Sequence, residues 1–376
     1  MLRLHICTAA LVAVAALGQE PSLVFTRPSE YTPPPGSTYP ATEWEKVASP
    51  EAAGYSRERL DLLRAWLKTH DTTGMMVVVG GRVLFEYGNV VETSKVASVR
   101  KSVLGMLFGK YIAKDPRMLH ATVEDLRLED LESFEQIEKR ATLQDLLMAR
   151  SGIYWRTADR DSPRKGSIAP GTQFVYNNWD FNAAGTAFEK IAGKGIYEAL
   201  EADLARPIGM QDYDTAKQKK IQVMPQKKLS VHPEYAMYLS TRDMARLGLL
   251  MARQGQWNGK NVLPKNWVEY LTTLYTPASE VWPRPVQREM GGTVSRWGYG
   301  AMWWVWDAPI GTTSANWTPF TGSYSAFGTD GQYITVIPSF DLVVAHKNAN
   351  IDQEPNRNVG MLAYQTILQM LIASKL

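Results

Sequence analysis

Ser98-Val99-Arg100-Lys101 is the segment whose residue types and spacing point most directly to chemistry. Residues three apart on a helix share a face, with about 5–6 Å between Cβ atoms, so the Lys101 amine comes within reach of the Ser98 hydroxyl. A serine hydroxyl attacks a carbonyl poorly unless a neighbour takes its proton. A lysine can take it only when burial or nearby positive charge lowers its pKa. Ser98 at the first turn also sits in the positive field of a helix N-terminus, which favours a developing alkoxide. Arg100 can add to that field, although its direction is open. A second S-x-x-K occurs at Ser162-Pro163-Arg164-Lys165, but with Pro163 inside it and Gly166 after it no amphipathic helix follows, and it reads as a solvated loop. Tyr176-Asn177-Asn178 follows the turn Pro170-Gly171 and precedes a helical pattern. Its phenol can relay a proton between nucleophile and leaving group, and the Asn178 amide can hold Lys101 or a substrate. The similar Tyr87-Gly88-Asn89 ends a strand pattern and reads as a hairpin exit.

These groups need a scaffold, and the hydrophobic pattern supplies one. Ser56 caps a helix with Leu60, Leu63 and Leu67 at helical spacing. Two strand patterns, 75–79 and 82–87, flank Gly80-Gly81, a short hairpin signal. Ser98 opens a helix with one apolar face, Val103, Met106, Leu107 and Tyr111, stopped by Asp115-Pro116. The middle of the chain reads as helices at 142–149, 180–191 and 241–254, the last opened by the cap Ser240-Thr241-Arg242-Asp243. Strands return at 323–327, 332–338 and 342–347, and a helix at 359–372 closes the chain. The expected fold class is α/β of the α+β type. An antiparallel sheet is flanked by helices from both chain ends, with an inserted, mostly helical lobe. Residues 46–115 and 296–376 form the sheet lobe, 116–295 the helical lobe, and the active site lies between them.

The 376 residues carry 41 basic and 38 acidic side chains, a net charge of +3 with no basic run. That balance argues against a nucleic-acid partner. Residues 1–18 read as a signal peptide: Arg3, an apolar run from Ile6 to Leu17, and Ala16-Leu17-Gly18 at the cleavage site. The run is too short to span a bilayer, so export to a bacterial periplasm without a stable membrane anchor is expected. Residues 19–45 are a proline-rich extended lead-in. The one cysteine, Cys7, lies in the signal segment, so the mature chain would hold no disulfide, thiol nucleophile or Cys-ligated zinc. Trp303, Trp304, Trp306 and Trp317 cluster late in the chain and suit a core or a pocket wall equally.

Other mechanisms find no pattern. No G-x-S-x-G occurs. His5, His70, His120, His232 and His346 form no metal-ligand motif, so neither metal nor cofactor is expected. The acidic stretch Glu124, Asp125, Glu129, Asp130 and Glu132 reads as a solvated face. Ser314-Ala315-Asn316 reads as loop.

With Ser98 and Lys101 followed by Tyr176 and Asn178, the Ser240–Asp243 helix start and the Gly-rich turn 328–332, the chain resembles the serine β-lactamase and penicillin-binding protein superfamily. It is most similar to the class C β-lactamase-related esterases and amidases. The resemblance implies that Ser98 is acylated, that Lys101 and Tyr176 share the base and acid roles, and that Asn178 positions substrate or Lys101. The family's third motif, a Lys-Thr-Gly or His-x-Gly triplet on a bordering strand, falls by counting at Ser323-Tyr324-Ser325. Phe320-Thr321-Gly322 just upstream leaves that register open by a residue or more. By the same count the oxyanion is held by the backbone amides of Ser98 and Ala326. The triplet's cation, which helps bind a carboxylate in β-lactam-directed members, is missing. An uncharged small-molecule ester or amide is therefore the expected substrate. β-Lactamase or D-alanyl carboxypeptidase activity is the alternative, and a non-hydrolytic sensor or ligand-binding protein the alternative of another class. Oligomeric state is not legible.

Overall fold

The computed structural model describes residues 32–154, 163–221, 230–281, 296–307, 319–350 and 359–376. The signal segment, Ser162, Ser314-Ala315-Asn316 and Trp317 lie outside them.

Helix α1 (Arg57–Leu67) is capped by the Ser56 hydroxyl, which accepts from the Arg59 amide, and buries Leu60, Leu63 and Leu67. The hairpin β1 (Gly74–Val79) and β2 (Arg82–Gly88) turns through Gly80 and Gly81, at φ 59° and 81°. Only glycine takes two successive positive φ values at little cost, and this turn matches the twist of the strands. Helix α2 (Val99–Ile112) follows, then α3 (Leu143–Leu147), α4 (Asn178–Ala192), α5 (Thr241–Ala252) and α6 (Lys265–Thr272). Strands β3 (Trp297–Tyr299), β4 (Trp304–Trp306), β5 (Tyr324–Gly328), β6 (Gln332–Ile337) and β7 (Leu342–Lys347) precede the closing helix α7 (Met361–Ala373). No helix among the described residues is long and apolar enough to cross a membrane.

Seven strands form one antiparallel sheet in the order β2-β1-β7-β6-β5-β4-β3. The N-terminal hairpin joins the C-terminal strands through β1 and β7, in register from Gly74↔Lys347 to Val79↔Leu342. Strands β6 and β7 are buried at every position because helices cover both faces. On one face α5 lies so close that a Cβ at Gly248 would stand 2.4 Å from Val343 and 2.8 Å from Ile334. On the other, the Tyr364 ring of α7 stacks on Tyr333 at 3.9 Å. Strand β3 at the sheet edge and β4 beside it carry no strand expectation from the sequence, which marks Trp304 and Trp306 only as part of an aromatic cluster.

The expectation of one apolar face on α2 needs correction. Every residue from Val99 to Gly109 is buried, as are Tyr111 and Ile112. A helix buried all round lies inside the molecule, and glycines let its neighbours approach. A Cβ at Gly105 would meet Met302 at 2.9 Å, and one at Gly109 would meet Trp267 at 2.5 Å. Ser98 thus stands at the mouth of a helix that the rest of the fold grips from all sides.

Candidate active site

Ser98 is the N-cap residue of α2, with no cap bond from its side chain, and is partly exposed. The turn leading to it runs through Ala97 at φ 45°, a conformation that costs a non-glycine residue about 1–3 kcal/mol and persists only when the surroundings fix it. Lys101 Nζ donates to Ser98 Oγ at 3.1 Å and to Tyr176 Oη at 2.9 Å. Lys101 is 2% exposed, with its nitrogen 4.2 Å from the Tyr176 ring centroid and 4.4 Å from that of Phe181. Burial, and secondly the Arg100 charge, hold its pKa well below the ordinary lysine value, against a smaller opposing pull from Glu234. Arg100 points away from Ser98: its guanidinium donates to Asn182 at 2.9 Å, lies 3.7 Å from Glu234 and packs over Tyr235. Desolvation pushes the Tyr176 phenol up to about 12, against hydrogen bonding with Ser98 and the Arg100 charge. Burial thus favours the free amine on Lys101 and the protonated phenol on Tyr176, the direction a base next to an acid requires.

Tyr176 is fixed from behind. Trp304 lies 5.3 Å and Tyr299 6.0 Å from its ring centroid. Trp303, Trp304 and Trp306 are all buried, but it is Trp304 that backs Tyr176, while Trp303 packs on Tyr324 and Trp306 on Phe320. Asn177, between Tyr176 and α4, accepts from the Asp180 amide at 3.2 Å and caps that helix. Asn178 opens α4 with an exposed side chain, and the hydrogen bonds of the Lys101 amine go to Ser98 and Tyr176 rather than to it.

The strand geometry favours another register for the third motif than the counted one. Side chains alternate along a strand. The Ser325 hydroxyl donates to the Ile334 carbonyl at 2.9 Å and lies 2.6 Å from Thr335, whose own hydroxyl meets Tyr364 on α7. Ser325 thus faces the side of the sheet away from α2. Tyr324 donates its hydroxyl to Met251 at 2.9 Å, and Ser323 is buried ahead of the strand. The residue that meets Ser98 is Gly328: a Cβ there would stand 3.1 Å from the Ser98 nitrogen and 2.7 Å from the Val96 carbonyl. Counted from Gly328, the triplet that the resemblance implies would fall on Ala326-Phe327-Gly328, with a glycine in its last place. Ala326 stands where the cation would be, on the same strand face as Gly328.

The backbone alternates too. Ser323 accepts from the Trp306 amide at 2.8 Å, so odd residues of β5 aim their backbone groups toward β4 and even ones toward β6. Ala326 pairs with Ile334 on β6, so its amide cannot be the one aimed at an oxyanion. The pairing of β4 with β5 runs from Val305↔Tyr324 to Trp304↔Ser325, and the chain before Trp304 turns off: Met302 donates to Leu147. Beyond Ser325 the odd-numbered amides of Phe327 and Thr329 have no ladder partner on β4 among the described residues, and Thr329, exposed and next to the Gly328 that meets the Ser98 turn, is the candidate. The available signal in the sequence was a glycine just where a strand meets its turn.

The remaining candidates have structural positions. Lys165 donates to the Ser133 carbonyl at 2.6 Å, and Asn89 receives the Val91 amide at a strand exit. Asp130 departs from a solvated face: it accepts from Trp179, Ser230 and Val231. Among the described residues no group of three His, Cys, Asp or Glu side chains is arranged to hold a metal ion.

Comparison with known proteins bears on the fold and the family. An uncharacterized protein of Alkalihalophilus pseudofirmus is 25% identical over 107 residues, and the chain spans only 28% of that relative's length, as of its own. A proposed 6-aminohexanoate-dimer hydrolase from Bacillus anthracis superposes with a TM-score of 0.60 at 18% identity, over 92% of this chain and 90% of that one. EstCE1, a hydrolase with promiscuous acyltransferase activity, gives 0.60 at 14% identity, over 85% and 98%. At these identities the likeness shows a shared fold. The Beta-lactamase family model matches residues 62–357, from α1 to beyond β7, and takes in Ser98, Lys101, Tyr176 and Gly328 together; this chain belongs to the Beta-lactamase family.

Proposed function

We propose that this protein is a serine hydrolase that cleaves a carboxylic ester or amide through an acyl-enzyme on Ser98. The carrying observation is one buried amine, Lys101, within hydrogen-bond distance of both the Ser98 hydroxyl and the Tyr176 phenol. In this reading the Lys101 free amine takes the Ser98 proton as Oγ bonds to the substrate carbonyl carbon. The negative oxygen is held by the amides of Ser98 and Thr329, the type of contact whose loss costs about 10²–10³ in rate. The leaving group departs with the Tyr176 proton, which the Lys101 ammonium replaces. Water then attacks the acyl carbon with the same groups acting in reverse. Asn178, exposed at the start of α4, is proposed as a substrate contact rather than a partner of Lys101.

Ala326 brings no charge to the strand face that meets α2, which supports an uncharged ester or amide over a carboxylate-bearing β-lactam. The names of the two structural neighbours, one a hydrolase of an amide dimer and one an acyl-transferring hydrolase, fit that range. The N-terminal pattern supports export to a periplasm.

The test is steady-state hydrolysis of a short p-nitrophenyl ester and a chromogenic cephalosporin, with wild type beside Ser98→Ala. Ester turnover that disappears in the variant, with little cephalosporin cleavage, is expected. Strong cephalosporin turnover would return the β-lactamase reading, and Ser98-independent activity would overturn the acyl-enzyme.

A further inference from the structure

Two buried, ionisable residues at the end of β7 take no part in the proposed proton transfers. Neighbouring side chains leave a strand on opposite faces, so His346 and Lys347 diverge across the sheet. His346 sits among Tyr333 and Tyr364, with ring centroids 5.8 and 6.0 Å away. Its Nδ1–H donates to the Gly331 carbonyl at 2.7 Å, and its Nε2 accepts from the Thr72 hydroxyl at 2.9 Å. The tautomer follows because a carbonyl can only accept. Burial holds the ring neutral, with a pKa of about 4. On the other face the Lys347 amine is 1% exposed. It donates to the carbonyls of Glu92 at 3.3 Å, Ser94 at 3.4 Å and Leu239. All three partners are acceptors, so the amine meets them only through its N–H groups; burial lowers its pKa to about 7, against the opposing charges of Glu92, Asp243 and Asp212.

Each residue grips one half of the candidate oxyanion site. Ser94 pairs with Leu239, and Lys95 with Tyr238. The Val96 amide donates to Met237 at 3.0 Å. The positive-φ residue Ala97 and then Ser98 follow directly. The Lys347 amine therefore holds the root of the strained turn that presents Ser98. Gly331 closes the turn that begins at Thr329, so His346 braces the far end of the turn that carries the other amide. Gln332 adds a tie to the same place, donating to the Asn348 carbonyl at 2.6 Å.

We propose that His346 and Lys347 are positioning residues that together set the distance between the Ser98 and Thr329 amides, and so govern binding of the transition state rather than of the substrate. The proposal rests on the acyl-enzyme reading of Ser98.

The test uses the full chain with Lys347→Met, His346→Leu and His346→Asn, the last keeping an N–H near the position of Nδ1. The readouts are kcat and KM on a p-nitrophenyl ester, the melting temperature, and affinity for an aryl trifluoromethyl ketone against the matching methyl ketone. The trifluoromethyl ketone accepts Ser98 Oγ at its carbonyl carbon, the serine proton passes to Lys101, and the resulting oxyanion reports on the two amides. Lys347→Met and His346→Leu are expected to lower kcat about 10–100-fold, as a misplacement approaching 1 Å does, with KM within about threefold. Trifluoromethyl ketone affinity should fall in step while methyl ketone affinity holds, and His346→Asn should recover most of kcat. Folded variants with near-wild-type kcat would overturn the proposal, as would equal losses on both ketones. If Lys347→Met does not fold, the histidine pair decides: equal kcat for His346→Leu and His346→Asn overturns it. A wild type without Ser98-dependent turnover overturns the acyl-enzyme reading itself, and the proposal with it.

Discussion

Gly328→Ala tests the third-motif register most sharply. The added methyl carbon would stand 2.7 Å from the Val96 carbonyl oxygen and 3.1 Å from the Ser98 nitrogen. Non-bonded carbon contacts are comfortable near 3.5–4.0 Å, so strand and turn must part by roughly 0.5–1 Å. These two neighbours are backbone atoms, and the third, Gln332 Cβ at 2.8 Å, is fixed to the backbone of β6, so none can swing away as the end of a side chain would. Overpacking of this kind costs about 1–3 kcal/mol, a few degrees in Tm. The functional cost is larger, because the atoms displaced belong to the turn that carries Ser98, and a shift approaching 1 Å costs about 10²-fold in rate. The expected result is a loss of about 10–100-fold in kcat/KM on a p-nitrophenyl ester with the protein still folded. Slower labelling by a serine-reactive phosphonate should accompany it. Gly360→Ala is the control: φ there is −65°, and nothing lies within 4 Å of an added Cβ. Gly328→Ala with kcat/KM within about threefold of wild type and an unchanged Tm would refute the placement of Gly328 against Ser98.

The same geometry sets two further expectations. Arg100→Met removes a charge that disfavours the Lys101 ammonium, so the Lys101 pKa rises and the acidic limb of the kcat/KM profile moves to higher pH. Glu234→Gln removes the carboxylate that favours the ammonium, so the limb moves to lower pH; shifts in the same direction for both would show that another group controls the limb. Ser325→Ala should leave kcat/KM within about twofold, because its hydroxyl serves Ile334 and Thr335 on the far side of the sheet. Its loss should lower stability by about 1 kcal/mol in denaturant melts, and a large activity loss at unchanged stability would restore the counted register.

The sequence by itself determined what depends on neighbours a few residues apart. Helical spacing put Lys101 beside Ser98, the paired glycines turned the first hairpin, and Ser56 and Ser240 capped their helices, because each is a local backbone or side-chain preference. Motif order was enough to bring Tyr176 into the candidate set. What the tertiary structure alone decided involves segments distant in the chain. The burial of α2 on every side depends on Met302 and Trp267, which meet it from the far end of the sequence. The register of β5 could not be counted because a strand's facing flips with a shift of a single residue; only its pairing with β4 and β6 shows that Ala326 turns its amide inward and that Gly328 touches the Ser98 turn. Lys347, the last residue of an apolar strand, carries no motif at all. Its three carbonyl partners come from the approach to Ser98 and the approach to α5, and a sequence does not reveal a lysine whose partners are main-chain atoms, since every residue has a carbonyl.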